Sequence, residues 1–127
     1  MADYLLDTTV IIDYLRGNRK TAELLTRLFS EGASLGCCSI NIVETYAGLR
    51  EKERAATENL LSSLEYYDLT PQIARQAGEY LRQYKAKGIT LALSDTVIGS
   101  IAIVNDLILL TDNSRHYPMP NLKLEVP

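Results

Sequence analysis

Short apolar runs alternate along the chain with longer segments whose apolar residues recur at helical spacing. A short apolar run bounded by turn residues is typical of a buried strand, whereas apolar residues three and four positions apart indicate an amphipathic helix. The apolar runs predict strands at 2–6, 33–39, 66–69, 107–110 and 122–126. The segments between them predict helices at 9–15, 20–30, 39–49, 51–64, 70–87 and 94–104.

Helix ends and buried faces can also be predicted from this pattern. Thr9 and Ser39 carry hydroxyl groups where helices begin, so we expect them to cap the first free N–H groups. In the segment 20–30, the residues that share one face at helical spacing are predicted to be buried, and they are Ala22, Leu25, Leu28 and Phe29.

Strands that alternate with helices are typical of a sheet covered by helices on both faces. We therefore expect an α/β fold: a three-layer α/β/α sandwich around a mostly parallel, roughly five-stranded central sheet. The chain has 127 residues and a mass of 14.2 kDa, which suits one domain with a sizeable core. We interpret residues 1–127 as a single domain.

Composition and charge narrow the classes of function. The net charge is −3 and the pI is about 5.1, so no overall basic field attracts nucleic acid. A nucleic-acid partner would have to meet a local basic patch or metal ions held by carboxylates. The two cysteines, Cys37 and Cys38, are adjacent and form no disulfide framework. With an acidic N-terminus and no apolar run of membrane length, these features predict a soluble, cytoplasmic protein.

Asp7 is the first candidate for chemistry. It follows the apolar run that ends at Leu6, at the carboxyl end of the first predicted strand. Ligand sites of open parallel sheets lie off that end of the strands. A structural role is the alternative, in which Asp7 only caps the turn that follows.

Further acidic or amide residues stand in apolar surroundings at Glu44, at Asp95 and at the pair Asp112-Asn113. Acids are seldom buried unless they are paired or bind a metal. Glu44 has Val43 and Ala47 at helical distance, so we expect it to face inward or toward a cleft. Crowded carboxylates repel one another, and a divalent cation bound by oxygen atoms alone is typically magnesium or manganese.

Structural roles are open for these residues as well. Asp95 lies in the first turn of a predicted helix, where an acid complements the helix dipole. Asp112 and Asn113 are common turn residues. The four positions together, in the order Asp, Glu, Asp and Asp/Asn, favour a shared site over four separate structural roles.

Four segments resemble the motifs of PIN-domain proteins of the VapC toxin type, and the resemblance covers nearly the whole chain. The segments are Leu5-Leu6-Asp7-Thr8-Thr9-Val10-Ile11-Ile12, Ser39-Ile40-Asn41-Ile42-Val43-Glu44, Leu93-Ser94-Asp95-Thr96-Val97-Ile98 and Leu109-Leu110-Thr111-Asp112-Asn113. The resemblance implies an endoribonuclease that uses Mg²⁺ or Mn²⁺ to activate water for attack on an RNA phosphodiester.

The resemblance also implies which residues form the site. Asp7, Glu44 and Asp95 correspond to the acidic set that holds the metal. Asn113 falls on the family's fourth position, where it would hold a water molecule, and Asp112 is the neighbouring candidate. Thr9 stands where many relatives have asparagine, so we expect its hydroxyl to order a water molecule or to support Asp7.

Two basic residues and the only histidine complete the candidates. Arg115 is expected to hold a phosphate of the RNA, and Arg16 is a weaker candidate for the same role. His116 is interpreted as a hydrogen-bonding loop residue. The resemblance further implies a cognate VapB-like antitoxin, bound in a groove formed by the early helices, and a homodimer.

Two other functions fit parts of the sequence. A PIN domain can act as an RNA- or protein-binding module without catalysis, although the acidic set here favours activity. The strand followed by Asp7 is also similar to haloacid-dehalogenase-like phosphatases, but that pattern needs a second aspartate where Thr9 stands.

Overall fold

The computed structural model describes residues 3–127, so Ala2, predicted in the first strand, lies outside the described residues. Within that range the strands are β1 Asp3–Leu6, β2 Ser34–Cys38, β3 Glu65–Tyr67, β4 Ile108–Leu110 and β5 Lys123–Glu125. The helices are α1 Thr8–Leu15, α2 Arg19–Ser30, α3 Ser39–Ala47, α4 Arg54–Ser63, α5 Pro71–Ala86 and α6 Leu93–Val104. Each predicted element is therefore present, with ends that shift by a few residues.

The strands form one parallel sheet in the order β3-β2-β1-β4-β5. β1 is central, because Leu5 pairs with Gly36 of β2 on one side and with Leu109 of β4 on the other. The chain builds the sheet outward to β3 and then returns across β1 to β4. This reversal places a crevice at the carboxyl ends of β1 and β4, where open α/β sheets bind ligands.

Side chains of each central strand alternate between two cores. On one face, Leu5 packs with residues of α5 and α6, among them Ile73, Ala77, Ile98 and Ile101. On the other face, Tyr4 and Leu6 pack with residues of α1 and α2, among them Val10, Ile11, Leu25 and Leu28. Helices thus cover both faces of the sheet, which confirms the predicted three-layer α/β/α architecture.

The structure corrects both predicted helix caps. Thr8, not Thr9, is the first residue of α1, and the carboxylate of Asp7 accepts a hydrogen bond from the Thr8 N–H at 2.7 Å. Cys38 is the N-cap of α3, and Ser39 is already helical. The N-cap of α1 therefore lies two residues before the predicted Thr9, at Asp7, and the N-cap of α3 lies one residue before the predicted Ser39.

Two further expectations change. The predicted helix at 51–64 is a 3₁₀ turn at Glu51–Glu53 followed by α4. Phe29, predicted on the buried face of α2, is 72% exposed, because it stands near the end of the helix beside an open groove. Over residues 3–127, no helix is long and apolar enough to cross a membrane.

Candidate active site

Asp7 lies at the crevice between β1 and β4, and its backbone N–H donates to the carbonyl oxygen of Leu110 at 2.9 Å. The side chain is 3% exposed. Its Oδ1 accepts from the Thr8 N–H, and its Oδ2 accepts from the hydroxyl groups of Thr9 at 3.3 Å and Thr111 at 2.6 Å. Asp7 therefore caps α1 and also presents a carboxylate whose position is fixed from three sides.

Thr111 joins the segment after β4 to Asp7. Its hydroxyl is fully buried, accepts from the Asn113 N–H at 2.9 Å and donates to Asp7 Oδ2. Asn113 therefore supports this junction through its backbone. The contact between the segment after β4 and Asp7 is made by Thr111, two residues before the predicted fourth position.

Glu44 is half-buried on α3 and reaches α1, where its Oε1 accepts from the Thr8 hydroxyl at 2.7 Å. The prediction that Glu44 faces inward or toward a cleft depends on Val43 and Ala47, and neither of these neighbours is buried. Val43 is 64% exposed and Ala47 is exposed as well. The buried residues around Glu44 are the polar Asn41 and Thr45, which a hydrophobic pattern does not detect.

Asp95 is half-buried in the first turn of α6. Its Oδ1 accepts from the Tyr117 hydroxyl at 3.3 Å, and its Oδ2 lies 3.4 Å from His116 Nδ1. Burial raises the pKa of Asp95, and the negative charge of Asp7 adds to that rise, while His116 opposes it. Asp95 therefore feels Asp7, and more weakly Glu44, as neighbouring negative charges.

Tyr117 connects two of the acids. Its ring is buried, its hydroxyl donates to Asp95 Oδ1 at 3.3 Å, and Asp7 lies close enough for its charge to affect the phenol. Burial raises the pKa of Tyr117 far above its ordinary value, and both carboxylates contribute to the rise. The phenol is therefore neutral and available to donate its proton between the two acids.

The three candidate acids accept hydrogen bonds from neighbouring hydroxyl groups, but they do not have the geometry of a preformed metal site. Within the described part of the chain, no group of three or more His, Cys, Asp or Glu side chains has the spacing of a metal site. Each of Asp7, Glu44 and Asp95 instead accepts from a neighbouring hydroxyl. The side-chain atoms that could bind a metal are all oxygens, and the charges of Asp7 and Glu44 act on Asp95, so the chemistry of the set fits a hard divalent cation.

The remaining candidates lie around this centre. Asp112 is exposed and lies near Asp13 of α1; burial raises the pKa of Asp13, and the neighbouring Asp112 adds to that rise. Asp112 thus faces Asp13, a residue that the sequence did not single out. Arg115 and Arg16 are exposed.

Four residues of the site escaped the sequence analysis, namely Thr8, Asn41, Thr111 and Tyr117. Thr8, Asn41 and Thr111 are neutral polar residues within the four motifs. Their spacing does not distinguish a buried polar side chain from an ordinary turn residue. Tyr117 follows the single histidine in a loop. The only available signal was that each stands within a few residues of a candidate acid or amide.

A family model described as PIN domain matches residues 4–121. The chain is 38% identical over 120 residues to Ribonuclease VapC19 of Mycobacterium tuberculosis, which covers 94% of this chain and 96% of the relative. It is 34% identical to Ribonuclease VapC10 of the same organism, covering 91% and 86%.

Solved structures give the same picture of the fold. The chain is similar to a crystal structure of VapBC2 from Rickettsia felis bound to a DNA fragment from its promoter, with a TM-score of 0.85 and 26% identity. That likeness covers 98% of both chains. A DNA-bound VapBC structure from Salmonella typhimurium has the same TM-score of 0.85 at 23% identity, which supports the fold alone.

Proposed function

Because the chain belongs to the PIN domain family, we propose that it is an endoribonuclease that cleaves RNA phosphodiester bonds with Mg²⁺ or Mn²⁺. The relatives that share 34% and 38% of its sequence over most of their length are named ribonucleases. The observation that supports the proposal is the link between the acids: Thr8 donates to Asp7 through its N–H and to Glu44 through its hydroxyl, and the charges of both acids add to the rise that burial causes in the pKa of Asp95.

Asp7, Glu44 and Asp95 would hold the cation, and Asn113 is the proposed fourth position, with Asp112 as the neighbouring candidate. A divalent cation in such a site supplies an activated water and stabilises negative charge on the phosphate. The protein's own contribution is orientation. The Thr8 hydroxyl donates to Glu44 and the Thr111 hydroxyl donates to Asp7, so each hydrogen bond fixes the orientation of one carboxylate.

The loop after β4 completes the site. His116 Nδ1 lies 3.4 Å from Asp95 Oδ2, so the imidazole stands beside this carboxylate. Arg115 follows the same turn and is exposed to solvent, where we assign it to an RNA phosphate. Thr9 supports Asp7 through its hydroxyl. With Thr9 in that position, the chain lacks the second aspartate that a haloacid-dehalogenase-like phosphatase needs.

We further propose that the protein is the toxin of a toxin–antitoxin pair, acts in the cytoplasm and forms a homodimer. Solved structures of relatives contain a VapB antitoxin with VapC. A groove of about 440 Å³ lies between α2, β2 and α4, and it fits an apolar segment of a VapB-like partner. Its apolar lining includes Leu25, Phe29, Leu35, Leu60 and Leu64.

The test is RNA cleavage by the purified protein on a mixed pool of tRNA, rRNA and mRNA, with Mg²⁺ and with a chelator in excess. Cleavage in Mg²⁺ that stops with the chelator supports the proposal. Asp7→Asn and Asp95→Asn should each abolish cleavage while the circular dichroism spectrum stays unchanged. If either variant cuts RNA at the parent's rate, the assigned site is wrong.

A binding module without catalysis would give a different result. It would bind RNA and slow its migration in a gel-shift assay, but it would leave the RNA pool uncleaved both with Mg²⁺ and with chelator. For the antitoxin, the parent and Phe29→Asp are each co-expressed with a small DNA-binding protein encoded beside this gene. The parent should co-purify with that protein, and the variant should not.

A further inference from the structure

We propose that Asn41 is a positioning residue that fixes the carboxylate of Glu44 through the hydroxyl of Thr8. The inference rests on the proposed function, because it concerns how one acid of that site is oriented. Asn41 lies on α3, three residues before Glu44, and its side chain is fully buried. Its side chain does not hydrogen-bond to Glu44 directly in the described structure; it acts through Thr8 of α1.

The orientation of the Asn41 amide is set by the backbone. The Cys38 N–H, at the end of β2, donates to Asn41 Oδ1 at 2.8 Å. Since an N–H group can only face an acceptor, this contact assigns Oδ1 to that side and turns the NH₂ group toward α1. There Nδ2 donates to the Thr8 hydroxyl oxygen at 3.0 Å.

The direction of the next hydrogen bond follows from the first. A threonine hydroxyl has one proton, and its oxygen is already an acceptor for the Asn41 amide. The Thr8 proton therefore points to Glu44 Oε1, which lies 2.7 Å away. The chain of donors runs from the Cys38 backbone through Asn41 and Thr8 to the carboxylate, and every bond in it is directional.

Burial strengthens this series of hydrogen bonds. Asn41 is 0% exposed and Thr8 is 6% exposed, so solvent does not offer replacement partners to either side chain. Hydrogen bonds are stronger in such surroundings, and a missing partner is costly. Three elements, β2, α3 and α1, are thereby tied to one orientation of Glu44.

The test compares four purified variants with the parent. Thr8→Val deletes the hydroxyl but keeps the backbone N–H that Asp7 caps, and Thr8→Ser retains the hydroxyl. Asn41→Asp keeps the acceptor for the Cys38 N–H but replaces the NH₂ donor with an acceptor, which competes with Glu44 for the Thr8 proton. Thr45→Val is the matched control, because Thr45 is 5% exposed and its hydroxyl has no hydrogen-bond partner among residues 3–127.

Two quantities are measured for each protein: kcat and KM for RNA cleavage in Mg²⁺, and the affinity for Mn²⁺ by calorimetry without RNA. Residues that orient metal ligands typically change affinity or activity by about 10- to 100-fold. We expect Thr8→Val and Asn41→Asp to lower kcat within that range, to weaken Mn²⁺ binding and to leave KM nearly unchanged. Thr8→Ser and Thr45→Val should behave like the parent.

Other outcomes overturn the proposal. Equal losses in Thr8→Val and Thr8→Ser would show that the shape of the side chain matters rather than its hydroxyl. If Thr8→Val and Asn41→Asp both keep the parent's Mn²⁺ affinity and kcat, Asn41 does not position Glu44 through Thr8. If Asn41→Asp fails to fold, the two Thr8 variants decide. A parent that binds Mn²⁺ but does not cleave RNA refutes the proposed function alone, and the Mn²⁺ titrations then decide the role of Asn41.

Discussion

Thr111 and Asp7 are 104 residues apart in sequence, yet the Thr111 hydroxyl donates to Asp7 Oδ2 at 2.6 Å in the interior of the protein. The contact joins the ends of the adjacent parallel strands β1 and β4, where the order of the sheet reverses. A hydrogen bond from a buried hydroxyl to a carboxylate stabilises a fold by about 1.5–3 kcal/mol. Thr111 therefore both closes the sheet and orients the central acid.

Replacing Thr111 with valine should affect stability and activity together. The change removes the hydroxyl partner of Asp7 Oδ2 and of the Asn113 N–H, so we expect the free energy of unfolding to fall by about 1–3 kcal/mol. RNA cleavage should fall by about 10- to 100-fold. Urea unfolding and initial cleavage rates measure the two effects. Thr111→Ser retains the hydroxyl and should recover most of the activity; equal loss in both variants would contradict the assigned hydrogen bond.

Tyr117→Phe tests the phenol between Asp7 and Asp95. The ring is buried and is retained, so the variant loses only the hydroxyl that faces the two acids. Without a cation, that hydroxyl offsets part of the repulsion between the carboxylates. We expect the thermal midpoint of Tyr117→Phe to fall below the parent's in chelator, and the difference to narrow in Mg²⁺.

The control for this experiment is Tyr84→Phe. Its hydroxyl donates to the carbonyl oxygen of Pro118 at 3.0 Å, away from the acids. Any loss of stability in Tyr84→Phe should be the same with chelator and with Mg²⁺. A midpoint difference for Tyr117→Phe that Mg²⁺ does not change would refute a role for its hydroxyl between the acids.

The sequence predicted the layers of the fold more fully than the contacts of the site. Apolar periodicity depends on the hydrophobic effect, which is not directional, so the runs around Leu5, Ile98 and Leu109 identified strands and helices whose ends shift by a few residues. The relay through Asn41 and Thr8 depends instead on the angle at which α1 and α3 meet, and no spacing rule encodes that angle. Val43 shows the limit, because its apolar side chain predicts an inward neighbour of Glu44 and yet is 64% exposed.

Alanine substitution is expected to change the free energy of unfolding by different amounts at two glycines. A Cβ at Gly36 of β2 would lie 2.5 Å from Tyr67 Cε2 and 3.1 Å from the Glu65 carbonyl oxygen, so strand β3 would have to move. Gly36→Ala should lower the free energy of unfolding by about 1–3 kcal/mol.

At Gly99 of α6, a Cβ would meet the terminal methyl group of Met119, which is flexible. Alanine also favours the helix by about 1 kcal/mol over glycine, so Gly99→Ala should change stability much less. Denaturant unfolding of both variants checks the comparison. A larger loss at Gly99 than at Gly36 would contradict the packing described here.

Cys37 makes the fold sensitive to alkaline pH. Burial, with a contribution from Cys38, raises the pKa of Cys37 from its ordinary value of 9.0 to about 11. Below pH 9 the thiol is neutral in both the folded and the unfolded chain. Between these two pKa values the unfolded chain loses the proton and the folded protein keeps it, so the free energy of unfolding falls as the pH rises.

Urea unfolding at several pH values between 8 and 11 should therefore show a steeper decline for the parent than for Cys37→Ala, by about 1–3 kcal/mol over the range. Burial also raises the pKa values of Tyr4, Tyr117 and Cys38, but these residues are present in both proteins. The absolute stability of Cys37→Ala is not the measure, because the smaller side chain also leaves space in the core beside Leu6 and Leu110. Parallel pH profiles for the two proteins would show that the Cys37 thiol ionises equally in the folded and unfolded states.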